Sequence, residues 1–452
     1  MDSLWICADM AEEAAAMLYL FNPCSRLCGC ISSGFGRFIR EIYISATVCT
    51  MNGLRHDLTE GTYTLLIVPY PGTVNTNIKL QIESNIIKAY QKEYLQDTHS
   101  NHTGFGNIIE DAHRYYKGDF HGHTIFSDGH QTIQEAIGIL EKRSLDFMAF
   151  TEHNSMPFDM PELPCLSIPS FELTLPIGHM NIHGLKDIGI LLEQCMEISD
   201  METLWERAAG CFGEKCNLSL NHMFMEPWHF IYQDFDLSKL NTIEVICDPT
   251  YPSAAKANNK AVSFLDFLWQ EGVVIYGIGG SDSHNKEDEL YDGTKEPSIY
   301  GDPATFVYCE GLSVSNIIEG VRRGHSYIMR YGKLLITICD GKYLPGDRIS
   351  EDEEIITYRV HIENIQIPCN GRFILNGEAV WEAALEGEGE EVCYELRPAD
   401  QYWWLRFGLY DMSGNVIAYV NPVYNRVKRC PDTVFKNLYD RFGENYDQRN
   451  II

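Results

Sequence analysis

The stretch GDFHGHTIFSDGH, residues 118–130, sets His121 and His123 two residues apart and places Asp128 shortly after them. Alternate side chains of a β-strand share one face, so the two imidazoles can grip a single ion from one strand. Asp282-Ser-His284 in GGSDSH repeats that spacing with a carboxylate and an imidazole. Between these two pincers lie Glu152-His153, Glu172 in SFEL, His179 in IGHMN and His222 in LNHMF, each following or closing an apolar run. A lone interior histidine is ordinarily a satisfied core group. Burying this many polar side chains together with no shared partner would cost several kcal/mol, and a bound metal removes that cost. Imidazole and carboxylate donors together suit Zn2+, Mn2+ or Fe2+ better than Ca2+ or Mg2+. More than four candidate ligands imply more than one ion. Ions a few ångströms apart hold a bridging hydroxide and clamp the attacking and leaving oxygens of a displacement, which is hydrolytic chemistry with phosphate esters as the commonest substrates.

Positioning such groups requires a series of strand ends, and the middle of the chain supplies them. Thr132-Ile-Gln-Glu135 is a capping box, followed by Ile133, Ala136, Ile137 and Leu140 at helical spacing. Strands are expected at Leu145–Phe150, Leu166–Leu175, Asn181–Leu185, Asn217–Asn221, Thr242–Ile246 and Val273–Ile278, and helices at Met201–Ala209, Ala254–Gln270 and Ser313–Arg322. This alternation predicts an α/β unit over 115–332 with its ligands at the carboxyl ends of the strands. The preceding residues, 1–114, read as a small β-sandwich, with strands at Phe38–Thr47, Thr62–Tyr70 and Ile78–Ile87 and a Pro71-Gly72 turn. After Tyr331, short strands at Leu334–Cys339, Ile355–Ile362, Gly371–Leu375, Tyr394–Arg397, Trp403–Tyr410 and Asn415–Val420 predict a second β-sandwich over 333–430. Residues 431–452 read as a polar, loosely held tail.

The formal charge of −29 argues against nucleic acid or an anionic membrane as a general partner. Bound cations would offset part of it locally, so a small anionic ester remains compatible. The start of the chain has no basic segment and carries Asp9, Glu12 and Glu13, unlike a secretory signal, and no apolar run reaches the ~18 residues needed to cross a bilayer. The fifteen cysteines are scattered, which predicts free thiols in a reducing cytoplasm. Cys24, Cys28 and Cys30 form the one short-spaced group and lack a nearby fourth zinc ligand. Nothing in the chain selects an oligomeric state.

The order and content of these motifs resemble the PHP family, named for polymerase and histidinol phosphatase. His121-x-His123 with Ser127-Asp128-Gly129, Thr151-Glu152-His153-Asn154, Glu172, Asn221-His222 and Ser281-Asp282-x-His284 match its motifs in turn, over about residues 115–330. The flanks Phe38–Tyr70 and Gly408–Tyr424, with its NPVY, resemble the metallohydrolase branch that includes the carbaryl hydrolases. The resemblance implies a distorted seven-stranded, TIM-like (β/α)7 barrel flanked by two β-sandwiches and carrying two or three divalent ions. It implies one ion on His121, His123, Glu172 and Asp282, a second bridged by Glu172 and held by His222 and His179, and a third on Asp128, His153 and His284. Asp128 stands where many relatives have histidine, which leaves the ion count open. His183 is the alternative to His179.

Of the remaining polar residues, Glu152, Asn154 and Glu244 are candidates for orienting ligands. Trp228 and His229 could line the pocket, and Arg322 and Arg323 could meet an anionic substrate. His130 is expected to be exposed. The function expected is a metal-dependent phosphoesterase cleaving a phosphate mono- or diester, with His121, His123, Glu172, His222 and Asp282 carrying the chemistry. A carboxyl-ester or carbamate hydrolase is the alternative, and a non-catalytic metal-binding scaffold the second.

Overall fold

The computed structural model describes residues 1–10, 16–33, 40–69, 77–88, 106–157, 162–185, 201–365, 367–386 and 389–449. Glu12, Glu13, Phe38, Tyr70 and the Pro71-Gly72 turn, on which expectations above rest, lie outside the described residues.

Two sheets surround the ligand-bearing motifs. One has five strands in the order Ser170–Leu175, Gly178–His183, Asn217–Leu220, Thr242–Cys247, Tyr276–Gly280. The other is a ten-stranded sheet in which Glu110–Asp119 pairs in parallel with Phe147–Met148 and antiparallel with Ala304–Leu312. Two isolated parallel bridges, His153 with Glu172 and Gly122 with Ser283, join the ends of the five-stranded sheet to the Phe147–Met148 and Glu110–Asp119 strands. The expected strand at Leu166–Leu175 is two strands, Leu166–Ser167 and Ser170–Leu175, broken where Pro169 has no N–H to give a ladder. Strict strand–helix alternation also lapses, because Ser170–Leu175 and Gly178–His183 form an antiparallel hairpin.

Helix Ile133–Arg143 begins where the capping box predicts. The Thr132 hydroxyl accepts from the Glu135 N–H and the Glu135 carboxylate from the Thr132 N–H, and the helix buries Ile133, Ala136, Ile139 and Leu140. Helices Met201–Phe212, Ala254–Glu271 and Val314–Arg322 likewise turn apolar stripes inward, placing Trp205, Phe264, Leu268 and Ile317 in the core.

The flanking parts pack directly on this unit. At the N-terminal end, Leu4, Ile6 and Ala8 of strand Ser3–Met10 meet Leu18 and Leu20 of strand Ala16–Phe21 in a small core. The opposite face of Ala16–Phe21 packs Met17, Tyr19 and Phe21 into the main core. At the C-terminal end, the alternation Ile356, Tyr358, Val360, Ile362 meets Phe373, Leu405, Phe407 and Leu409 across an apolar layer.

Three boundaries differ from those expected. Strand Glu110–Asp119 runs through residue 114, because it pairs with Ala304–Leu312 along its length. Ser326–Met329 pairs with Val416–Val420, so one sheet continues past residue 332. The expected tail contains helix Phe435–Arg449, whose Phe435, Leu438 and Phe442 are buried in the main core. No disulfide joins the fourteen cysteines among the described residues. No helix among them is long and apolar enough to cross a membrane.

Candidate metal centre

The two glycines beside the first and last motifs are demanded by close approach. A Cβ on Gly129 would lie 2.6 Å from the His123 carbonyl carbon, and a Cβ on Gly280 would lie 2.3 Å from the His121 side-chain Cβ. With these contacts open, the loop after His123 folds back over its own strand, and the Tyr276–Gly280 strand runs tight against His121.

All nine ligand candidates then converge. His121 Nε2 and His123 Nε2 face each other at 3.1 Å, and Asp282 Oδ1 lies 3.1 and 3.0 Å from them. Glu172 sits at the centre: Oε1 is 3.5 Å from His121 Nε2, 3.1 Å from His179 Nδ1 and 3.6 Å from His222 Nε2. Its Oε2 is 2.6 Å from His153 Nδ1 and 3.6 Å from His123 Nε2. Asp128 Oδ1 lies 3.4 Å from His153 Nε2 and 3.1 Å from His284 Nε2. The donor atoms form overlapping groups close enough to share ions: His121, His123 and Asp282; His121, Glu172 and His222; His153, Glu172 and His179; and His123, Asp128, His153 and His284.

The cluster is buried on one side and open on the other. His121, His123 and Glu172 side chains are fully buried, whereas Asp128, His284 and Asp282 are 32%, 24% and 14% exposed. The Glu172, Asp282 and Asp128 carboxyls are held well below the usual carboxylate range. Burial opposes this, but the facing imidazoles outweigh it. Burial also opposes charging of His121 and His153, and the carboxylates around them win, so both are raised. His123 goes the other way, to about 3, through burial and then the neighbouring His284 and His153.

The residues fit divalent ions. Glu172 Oε2, Asp128 Oδ1 and His222 Nδ1 are buried and make no aligned hydrogen bond. Carboxylate oxygens and imidazole nitrogens crowd together as a ligand set does, not as a hydrogen-bonded network.

Supporting residues fix the ligands. Glu244 Oε1 is 2.7 Å from His121 Nδ1, and its Oε2 accepts from the His222 N–H. This places the His121 proton on Nδ1 and turns the Nε2 lone pair to the cluster. Glu152 accepts from Thr124 and Ser127, pinning the loop that carries Asp128. Asn154 makes two hydrogen bonds to the Thr174 backbone. These three are the orienting candidates read from the sequence.

Asp119, Thr174 and Asp248 were missed. Asp119 accepts from the His121, Ser281 and Gly301 N–H groups. The Thr174 hydroxyl lies 2.6 Å from His153 Nδ1. Asp248 accepts from the Tyr291 hydroxyl, and burial followed by Asp282 pushes its carboxyl up to about 7. The available signal for Asp119 was its place two residues before His121 on the same strand; Thr174 and Asp248 carried none. Cys247 lies near His121 and Glu244, but burial and then Glu244 push its thiol well up, which keeps it protonated.

His183 turns away from the cluster, with Nε2 on the Phe120 carbonyl and Nδ1 near Asn217, so His179 occupies the ligand position. His130 pairs with Glu289 at the surface, and His229 with Glu226. Arg322 donates to the Gly213 and Cys216 carbonyls, and Arg323 is exposed at the helix end. Trp228 is exposed and stacks edgewise in a row with Tyr251 and Tyr291, the partner of Asp248.

No family model and no curated protein matches the chain. Among solved structures it is similar to a two-domain protein from Bacteroides vulgatus containing a predicted PHP-like metal-dependent phosphoesterase, at 17% identity and a TM-score of 0.38, over 70% of this chain and 98% of that one. It is also similar over 21% of its length to a CARDB domain from Pyrococcus furiosus, at 15% identity, TM-score 0.15 and 97% of that chain. A Niemann-Pick type C2 protein from the Japanese carpenter ant is similar over 21% of this chain and 91% of its own, at 12% identity and TM-score 0.13.

Proposed function

We propose that this chain is a metal-dependent hydrolase of phosphate mono- or diesters, built on a distorted seven-stranded α/β barrel flanked by β-sandwiches. The barrel strands are Glu110–Asp119, Phe147–Met148, Ser170–Leu175, Gly178–His183, Asn217–Leu220, Thr242–Cys247 and Tyr276–Gly280. The observation that carries the reading is the convergence of nine imidazole and carboxylate side chains, Glu172 and His179 from within strands and the others from the segments that follow strands, with Glu172 Oε2, Asp128 Oδ1 and His222 Nδ1 buried without an aligned hydrogen bond. His121, His123, Glu172 and Asp282 would hold one ion, Glu172, His179 and His222 a second, and Asp128, His153 and His284 a third. When bound, divalent ions of the Zn, Mn or Fe type supply water activation and neutralise charge developing on the ester oxygens.

The protein's own residues account for the rest. Glu244 and Asp119 hold the His121 strand in place from both its side chain and its backbone. The ester approaches along the open edge formed by Asp128, His284 and Asp282. The row Trp228, Tyr251 and Tyr291, with its rings tilted or edge-on to one another, offers aromatic contacts suited to an aryl group. Free thiols suit a reducing compartment.

The test is the purified chain refilled with Mn2+ or Zn2+ and assayed on an aryl phosphate, a bis-aryl phosphate and an aryl carboxyl ester. Turnover of either phosphate supports the reading. Turnover of the carboxyl ester alone replaces it with a carboxyl-ester hydrolase. Retention of less than about one ion per chain leaves a scaffold and refutes catalysis at this site.

A further inference from the structure

A cleft of about 450 Å3 lies away from the cluster, between strand Glu110–Asp119, the end of helix Ile133–Arg143 and the segment Arg330–Lys333. It shares no lining residue with the nine ligand candidates. Phe306, Met329 and Ile367 give it an apolar wall, and four basic side chains reach it: Lys117, Arg143, Arg330 and Lys333.

Two of the four are already neutralised. Arg330 makes a two-pronged contact with Asp302, and Lys333 pairs with Glu363. Lys117 and Arg143 pair with no carboxylate among the described residues. Lys117 Nζ donates to the main-chain carbonyl of Arg143 at 2.8 Å, and Arg143 Nη2 to the Gly301 carbonyl at 3.0 Å. Arg143 Nε is buried and has no acceptor. In a chain with 64 acidic residues against 35 basic ones, two adjacent cations lacking a carboxylate are a local exception. The strain shows in Lys117, whose amine is pushed down to about 8 by burial first and Arg143 second.

We propose that this cleft binds a small organic anion, with a phosphate or carboxylate head group between Lys117 and Arg143 and an apolar body against Phe306 and Met329. The planar guanidinium matches two oxygens of such a head group. The volume lies in the range of small-ligand sites.

The test measures calorimetric binding of phenyl phosphate, benzoate and neutral benzyl alcohol to the full chain at pH 7, where Lys117 is charged. A chelator-treated His121→Ala background, free of divalent ions, keeps phenyl phosphate from binding through metal at the cluster. The expected result is one site for at least one of the two anions, about ten-fold tighter than for benzyl alcohol. Which anion binds better identifies the head group. Lys117→Met and Arg143→Met, each shown folded by thermal unfolding, should each weaken it by about ten-fold or more. If Lys117→Met fails to fold, Arg143→Met decides alone. Both anions binding no better than benzyl alcohol, or binding that the substitutions leave unchanged, overturns the proposal. Neither outcome depends on whether the histidine cluster is a hydrolase.

Discussion

Glu244 is not among the nine proposed ligands, yet its replacement should be among the most damaging in the chain. Its two oxygens serve two buried groups, His121 Nδ1 and the His222 N–H. Glu244→Gln keeps size and shape but has a single acceptor oxygen. Whichever donor that oxygen serves, the other meets an NH2 group. One buried N–H left unsatisfied costs roughly 1–3 kcal/mol. His121 can escape by moving its proton to Nε2, but that removes the lone pair facing Asp282 and Glu172. Loss of an orienting partner of this kind typically weakens metal binding or activity by about 10–100-fold. The first route therefore predicts a loss of about 1–3 kcal/mol and the second about 1.4–2.8 kcal/mol, read as fold stability, Mn2+ affinity or their sum. Chelator competition measures the affinity, urea unfolding the stability, and aryl phosphate hydrolysis the activity. Glu289→Gln, at the surface beside His130, is the control. If Glu244→Gln matches wild type within about two-fold in both affinity and activity, and its urea midpoint is unmoved, Glu244 does not orient the cluster.

Three further outcomes are expected. His121→Ala and Asp282→Ala should abolish metal-dependent hydrolysis with the circular dichroism spectrum unchanged, whereas His130→Ala, an exposed partner of Glu289, should keep activity within about two-fold; equal losses in all three would sink the site assignment. In the chelator-treated protein, Asp248 has its folded carboxyl raised from 3.8 to about 7, so its contribution to stability is present below pH 4 and is lost as pH rises through 7. Wild type should thus lose stability relative to Asp248→Asn across that window in urea titrations, and a constant difference would disprove the burial argument. Asp266→Ala should lower stability by about 3–5 kcal/mol in thermal or urea unfolding, because it leaves the buried Arg406 guanidinium without its carboxylate; a change below about 1 kcal/mol would show that Arg406 finds another partner or water.

The parts of the fold legible from sequence are those whose signal is local. The Thr132–Glu135 capping box and the alternation of Ile356–Glu363 needed no knowledge of neighbours, and both appear where expected. The ligands were legible because polar residues interrupt or close apolar runs. Strand Ala16–Phe21 was not, because it is buried on both faces and shows no alternation, only a run of apolar residues. Helix Phe435–Arg449 hid behind its polar composition. Its anchors Phe435, Leu438 and Phe442 are few, and they matter because Phe230, Phe264 and Phe267 of the main core stand opposite. Asp119 and Asp248 escaped for a related reason. Their partners come from loops distant in sequence, Gly301 for Asp119 and Tyr291 for Asp248, which only the folded chain brings near.

Backbone conformation ties these observations together. Asn154, His222, Asp248 and Asp282 all have positive φ, of 48°, 26°, 33° and 48°; the last three lie just past the end of a strand bordering the cluster, and Asn154 follows the isolated bridge of His153 with Glu172. A non-glycine residue held in that region costs about 1–3 kcal/mol. In each case a neighbouring strand supplies the restraint: Thr174 binds the Asn154 side chain, Glu244 the His222 N–H, the Gly280 carbonyl the Asp248 N–H, and the His121 carbonyl the Asp282 N–H. Strain, buried carboxylates and imidazoles without hydrogen-bond partners therefore collect at one end of one set of strands. The apolar core beneath, with Ile243, Val245, Leu218 and Leu220 fully buried, is what can sustain that concentration of unfavourable terms. Two of the four turns carry proposed ligands, His222 and Asp282, so the strain is located where ligand direction matters most. Relaxing either turn would redirect an imidazole or carboxylate out of the donor groups it shares with Glu172 and His121, which is why these positions hold histidine and aspartate where glycine would be the unstrained choice.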